Sequence, residues 1–171
     1  MIDRVARLTA TEDRTGGLNP AQAAGLDYLA RANRFSRAPS HVADYLGATR
    51  GTVSQTLKAL ERKGLIISRS NPEDRRGLIY DLSPEGAREA ERNRAAEAAF
   101  DELAYRDRQA LDRGLRSAMQ ALLDIRGGRS FGVCGICRYH KIEGRMRHCA
   151  LMDETLAGPE AAQICHEQVP A

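Results

Sequence analysis

The chain is 171 residues long, with 42% hydrophobic residues, no Trp and a formal net charge of +3. That length allows one core of ordinary size plus an appendage. No apolar run approaches the length needed to span a bilayer, and Met1–Arg7 lacks a signal-peptide apolar core, so the sequence reads as a soluble, cytoplasmic protein with thiols kept reduced.

In chain order, residues 1–18 form an N-terminal segment that breaks at Gly16-Gly17. Asn19 and Pro20 are a cap and first-turn pair that open a helix to about Asn33, with Leu26, Leu29 and Ala30 on its apolar side. A short helix over Pro39–Leu46 ends at Gly47. A second helix, capped by Thr49, runs from Arg50 to Lys63 and stops at Gly64. Val42, Ala43 and Leu46 on the first of these, and Val53, Leu57 and Leu60 on the second, recur at spacings of three and four, giving each helix one face to bury. Two β-rich runs, 65–70 and 78–82, flank a polar hairpin tip over 71–77. Helix, turn, helix and a basic hairpin is the layout of a winged helix-turn-helix, placed here at residues 19–82.

The exposed face of the second helix carries Arg50, Thr52, Ser54, Gln55 and Lys58, side chains that donate to phosphates or pair with base edges in a major groove. Residues 31–76 hold ten Lys/Arg against four Asp/Glu, whereas residues 84–126 hold eight basic and nine acidic residues. The positive field is therefore concentrated where counterion release from DNA supplies affinity. Arg75 and Arg76 at the hairpin tip suit a minor groove, and Asp74 suits an orienting partner for one of them.

The run from Val53 through Ile66, then Asp74-Arg75-Arg76, then Leu82-Ser83-Pro84-Glu85-Gly86, resembles the MarR family of bacterial transcriptional regulators across about residues 19 to 126. The resemblance implies a homodimer that sets both winged units on a pseudo-palindromic operator in double-stranded DNA, most often as a repressor. It also implies that Arg76 is the wing-tip arginine and Asp74 its orienting carboxylate. Only Met1 to Asp13 precedes the glycine break, which leaves less chain than the family's usual first dimerisation helix.

Residues 83–128 read as dimerisation helices. Ser83-Pro84-x-Gly86 opens one that extends to about Tyr105, and a second spans Arg108–Arg126 with a seam of Leu111, Leu115, Ala118, Met119, Leu122 and Ile125. Gly127-Gly128 ends it. Residues 129–171 then hold all four cysteines, Cys134, Cys137, Cys149 and Cys165, within a 32-residue window opened by a Cys-x-x-Cys pair. In a reducing compartment that pattern indicates a metal site, and a segment this polar needs one to fold. Thiolates suit both an iron–sulfur cluster and zinc. One pair joined to two single cysteines is unlike the two knuckles of a zinc ribbon and can reach round a larger core, so a cluster is the first expectation and Zn²⁺ the alternative. Gly132 and Gly135 would admit backbone N–H groups to cluster sulfurs. Phe131, Val133, Ile136, Leu151 and Ile164 would exclude water, Arg138, Arg145 and Arg147 would offset charge, and His140, His148 or His166 would serve as supporting donors.

The fold class expected is thus mainly α with a small β-hairpin wing, carrying long dimerisation helices and a four-cysteine segment folded against them. The function expected is a redox- or iron-responsive repressor. The alternative is a regulator of the same fold that senses a small ligand, with zinc as a staple. An enzyme is not expected: the sequence shows no phosphate-cradling glycine loop and no nucleophile with an identifiable base.

Overall fold

Local capping chemistry sets the first half of the molecule. A computed structural model describes residues 1, 4–5, 17–71, 77–92 and 99–171. Helix α1 (Pro20–Arg31) starts at Asn19, whose side chain accepts from the Gln22 N–H at 2.9 Å while the Gln22 side chain returns to the Asn19 N–H, a reciprocal capping box. A 3-10 turn, Arg34–Ser36, leads to α2 (Pro39–Leu46), which Gly47 closes in a left-handed conformation (φ 59°). Thr49 then caps α3 (Arg50–Arg62). Strands β1 (Ile66–Ser70) and β2 (Leu78–Leu82) pair antiparallel in the register Ile66 with Leu82 and Ser70 with Leu78. This is the winged helix-turn-helix the sequence predicts. Its core holds Leu26, Tyr28 and Leu29 of α1, Val42 and Ala43 of α2, Val53, Leu57 and Leu60 of α3, and Ile66 and Tyr80 of the wing.

Tyr28 has no solvent exposure, and its hydroxyl donates to the Ser36 carbonyl at 2.7 Å. Burial holds that phenol protonated far above its ordinary range, so it remains a donor. Replacing it with Phe leaves a buried carbonyl unpaired, and we expect a loss of about 1–2 kcal/mol in urea unfolding.

Beyond the wing, Ser83 opens α4 (Pro84–Arg92): its hydroxyl accepts from the Gly86 N–H at 2.9 Å and donates to the Gly64 carbonyl at 2.6 Å. Part of the predicted continuation to Tyr105 lies outside the described residues, as does most of the N-terminal segment. Helix α5 (Tyr105–Arg126) starts three residues before its predicted position and ends as predicted, with Gly127 at φ 73°. None of its residues is buried in the protomer. No helix among the described residues is long and apolar enough to cross a membrane.

The cysteine segment is built from small ladders. Strand β3 (Gly132–Val133) pairs antiparallel with β7 (Ile164–Cys165), and β4 (His140–Glu143), β5 (Met146–Cys149) and β6 (Glu154–Leu156) form a three-stranded sheet. Within the protomer this segment does not fold against α5. It docks on the winged unit, at the connection between α1 and α2. Ala32 bridges Ile164, the Asn33 N–H donates to the Ile164 carbonyl at 2.9 Å, and Phe131 sets its edge against Tyr45 at 5.3 Å between ring centres.

Candidate nucleic-acid interface and a four-thiol cavity

Two sets of side chains stand out, and both are fixed by the ladders and caps above. On α3, Arg50, Thr52, Gln55 and Lys58 are exposed along one face and Ser54 is half-buried, opposite the buried Val53, Leu57 and Leu60. Four of the five predicted contact residues are therefore free to meet a partner. Thr52 is partly spent locally, because its hydroxyl lies 2.9 Å from that of the capping Thr49. Asp74, Arg75 and Arg76 lie outside the described residues. The wing's base is braced instead by Asp81, which pairs with Arg69 on the neighbouring strand and with Arg37 before α2 at 2.7 Å. Burial opposes the charge on Asp81, but the two guanidinium groups outweigh it and hold the carboxyl below its ordinary range. Sequence reading missed this brace, since Arg37 and Asp81 are 44 positions apart.

All four cysteines meet at one cavity. The β3–β7 ladder sets Gly132 opposite Cys165 and delivers Cys134 at its end. The Cys134–Ile136 turn is closed by the Cys137 N–H on the Cys134 carbonyl at 3.0 Å. The β4–β5 register places Cys149 opposite His140. The cavity so formed is lined by Cys134, Cys137, Cys149 and Cys165, with walls of Phe35, Tyr139, Leu151 and Met152, and His140 and Glu167 at its edge. None of the four is in a disulfide. Burial first, and then the proximity of Cys165, Cys149 and Cys137, push the Cys134 thiol up to about 11. A shared cation or cluster would relieve that penalty by favouring the thiolate. Among the described residues no group of three or more His, Cys, Asp or Glu side chains is arranged to hold a single metal ion; the four thiols ring a cavity instead.

Several supporting roles expected from sequence are redistributed. A Cβ on Gly132 would lie 2.3 Å from the Gln168 side chain, and one on Gly135 would lie 2.9 Å from the Ala161 carbonyl. These glycines therefore make room for the segment's own chain and not for sulfur. Of the five apolar residues expected to exclude water, Leu151 alone lines the cavity. Phe131 and Ile164 pack on the winged core, and Ile136 is exposed. Arg138 and Arg145 point to solvent, and Arg147 does not line the cavity. Of the three histidines, His140 reaches it, with Nδ1 3.7 Å from the Cys134 sulfur. His148 pairs with Asp153 at 3.3 Å, and His166 stacks on His41 with ring centres 3.5 Å apart.

The anchorage of the segment is polar. Arg34 grips both carboxylate oxygens of the buried Glu160, at 2.8 and 3.0 Å, and donates to the Thr155 carbonyl. The His41–His166 stack adds a pH response. Burial, then the neighbouring His166, lower His41 to about 4, so it is neutral in the folded protein. The unfolded form takes up a proton near pH 6.5, and stability is lost as pH falls from there towards 4. Melting temperatures at pH 7 and pH 5 check this, and His41→Phe is expected to flatten the difference.

The comparisons agree with the geometry. Residues 16–77 match the model of the MarR family. The fold is similar to S. aureus MepR in its DNA-binding conformation, at 22% identity over 71% of this chain and 93% of that one, with a TM-score of 0.61. It is similar also to a MarR transcriptional regulator from Methanosarcina mazei Go1, at 20% identity over 72% and 94%, TM-score 0.59. A third is Streptococcus pneumoniae FabT in complex with DNA, at 27% identity over 67% and 82%, TM-score 0.52. No curated protein sequence matches the chain.

Proposed function

We propose that this protein is a dimeric, MarR-type DNA-binding transcriptional regulator whose four cysteines hold an iron–sulfur cluster, so that iron or redox state governs operator binding. DNA binding is supported by the exposed Arg50, Gln55 and Lys58 on a helix whose opposite face is locked in the core, and by the charge concentrated around it. Solved relatives of this fold are described in DNA complexes. Arg50 suits a guanine edge and Gln55 an adenine edge, while Lys58 suits phosphate.

The observation that carries the cofactor is the convergence of four unpaired thiols, from two separate sheets and the turn between them, on one cavity. Cys134, Cys137, Cys149 and Cys165 would be the ligands. When bound, a cluster would supply redox-active iron to these soft thiolate ligands, and its oxidation or loss would change their charge and ligation. Around them, Phe35, Tyr139, Leu151 and Met152 restrict water and His140 can donate to the Cys134 sulfur. The docking of the segment on the α1–α2 connection gives ligation a direct route to the helix-turn-helix.

The test is purification without oxygen, then iron, sulfide and zinc analysis, an absorption spectrum and duplex binding. A brown protein that loses affinity for DNA from upstream of its own reading frame when its iron is removed, or gains it, supports the proposal. Colourless protein with one zinc per chain would assign a structural metal instead. Failure to retain duplex DNA even at low salt removes the regulator reading altogether. Within a working complex, Lys58→Ala should weaken binding across sequences and lower the salt slope by about 1, whereas Arg50→Ala should also relax base preference.

A further inference from the structure

We infer that Asn33 and Ser36 of the winged unit are positioning residues for Cys165, and that through them the occupancy of the four-thiol site is read by α2 and the wing. The inference rests on the cofactor reading above and adds its route.

Cys165 is gripped from both sides by these two residues. The Asn33 backbone N–H donates to the carbonyl of Ile164, the residue before the cysteine, at 2.9 Å. The N–H of His166, the residue after it, donates to the Ser36 hydroxyl at 2.8 Å. That hydroxyl in turn donates to Asn33 Oδ1 at 2.7 Å. The Asn33 oxygen is thereby occupied, and its amide nitrogen turns away from it. Asn33 and Ser36 have no solvent exposure, and the Asn33 Nδ2 has no hydrogen-bond partner among the described residues. A buried N–H without a partner is costly, and an anionic thiolate brought within its reach would accept from it strongly. The winged unit thus bonds the backbone on both sides of Cys165 and keeps one buried donor unspent on Asn33.

The same seven-residue connection, 32–38, touches the core and wing of the winged unit. The Ser36 carbonyl accepts the Tyr28 hydroxyl of the core. Arg37 bonds the Ala32 carbonyl at 3.1 Å and Asp81 of β2 at 2.7 Å, and its own carbonyl accepts the Tyr80 N–H at 3.1 Å. Two residues further on, Pro39 opens α2. Ser36, whose hydroxyl takes the N–H of the residue after Cys165, is thus followed in the chain by the arginine that braces the wing. Arg34–Glu160 and His41–His166 hold the segment in place independently of the thiols, so the grip on Cys165 can change without undocking the whole.

The discriminating variant is Asn33→Asp, which keeps an oxygen for Ser36 and puts an anionic oxygen in place of the unspent buried amide. Wild type and variant are assembled without oxygen with ferrous iron and sulfide, and assayed for iron content, visible absorbance and affinity for the upstream duplex. With the circular dichroism of wild type retained, Asn33→Asp is expected to hold about tenfold less cluster at limiting iron. Ser36→Ala is expected to assemble the cluster, but with loaded and stripped forms binding DNA within roughly twofold of each other, where wild type differs by about tenfold. Wild-type assembly together with a wild-type affinity difference in both variants overturns the inference. Should wild type itself take up no iron, the cofactor reading falls, and the route is judged on stripped protein by amide exchange. Alkylation of the four thiols with iodoacetamide then accelerates exchange in α2 of wild type if the route exists, and leaves it unchanged if it does not.

Discussion

Leu115→Glu combined with Met119→Glu is expected to yield a monomer that no longer binds DNA, with its winged unit intact. Helix α5 is 22 residues long, yet none of its residues is buried by the described residues of the protomer. Leu111, Leu115, Met119, Leu122 and Ile125 lie along one side at helical spacing and are 38–80% exposed. Fully burying a side chain of this size contributes about 1.5–3 kcal/mol, so a symmetric seam of five per subunit is ample for a stable dimer. The double substitution removes two of those contributions from each subunit and asks four carboxylates to enter an apolar interface without partners. Removal of the apolar contacts alone, at the lower end of that range, corresponds to roughly a 10⁴-fold weaker dimer. DNA affinity follows, because one winged unit on half an operator forfeits the gain from linked binding. Sedimentation equilibrium measures the first effect and duplex titration the second. A variant that sediments as wild type would place the seam elsewhere. The ion pair from Asp112 to Arg116, at 2.8 Å, lies on the solvated side of α5, and a charge reversal there is the matched control.

The parts of this molecule that were legible in its sequence are those whose causes are local. Asn19 with Gln22, Thr49, Gly47 and Gly64 each act within a few residues, and each fixes a helix end where the sequence places it. The period of the apolar residues shows which face of α3 is left exposed, and the four-cysteine window anticipates that all four line one cavity. The docking of the cysteine segment was not legible. It rests on Arg34 with Glu160, 126 positions apart, and on Ser36 with His166, 130 positions apart, and no periodicity links such pairs. In sequence, Asn33 reads as the end of a helix, and nothing singles out Ser36 beyond it. Their complete burial is visible only once the fold brings the cysteine ladders over them. The roles assigned to Gly132 and Gly135 failed for a related reason: a glycine announces a close approach, but the approaching group can be any other part of the chain.

Gly86 shows the same logic at the junction between winged unit and dimer helices, and there the expected effect on stability is the larger one. A Cβ on this residue would stand 1.8 Å from the Leu65 carbonyl oxygen and 2.8 Å from its carbon. Those atoms are backbone, and they cannot rotate away. Leu65 is held from the other side as well, since its carbonyl accepts the Ser83 N–H at 3.0 Å and the adjacent Gly64 carbonyl accepts the Ser83 hydroxyl at 2.6 Å. To admit a methyl group, the first turn of α4 must lift from the α3–β1 corner, which breaks the Ser83 cap and uncovers Leu65. Overpacking of this kind costs typically about 1–3 kcal/mol, and loss of the cap adds about 1. Gly86→Ala is therefore expected to lower the melting temperature by about 6–12 °C for a chain of this size. Gly114→Ala in the middle of α5 supplies the contrast, because nothing lies within 4 Å of its added Cβ. That change should be neutral or stabilising by up to about 1 kcal/mol, as the helical cost of glycine is removed. If both variants melt together with wild type, the α4 contact on Leu65 is not the one described. If Gly86→Ala alone falls, its consequence extends to DNA: α4 leads from the wing towards α5, and lifting its first turn changes the angle at which each subunit presents α3.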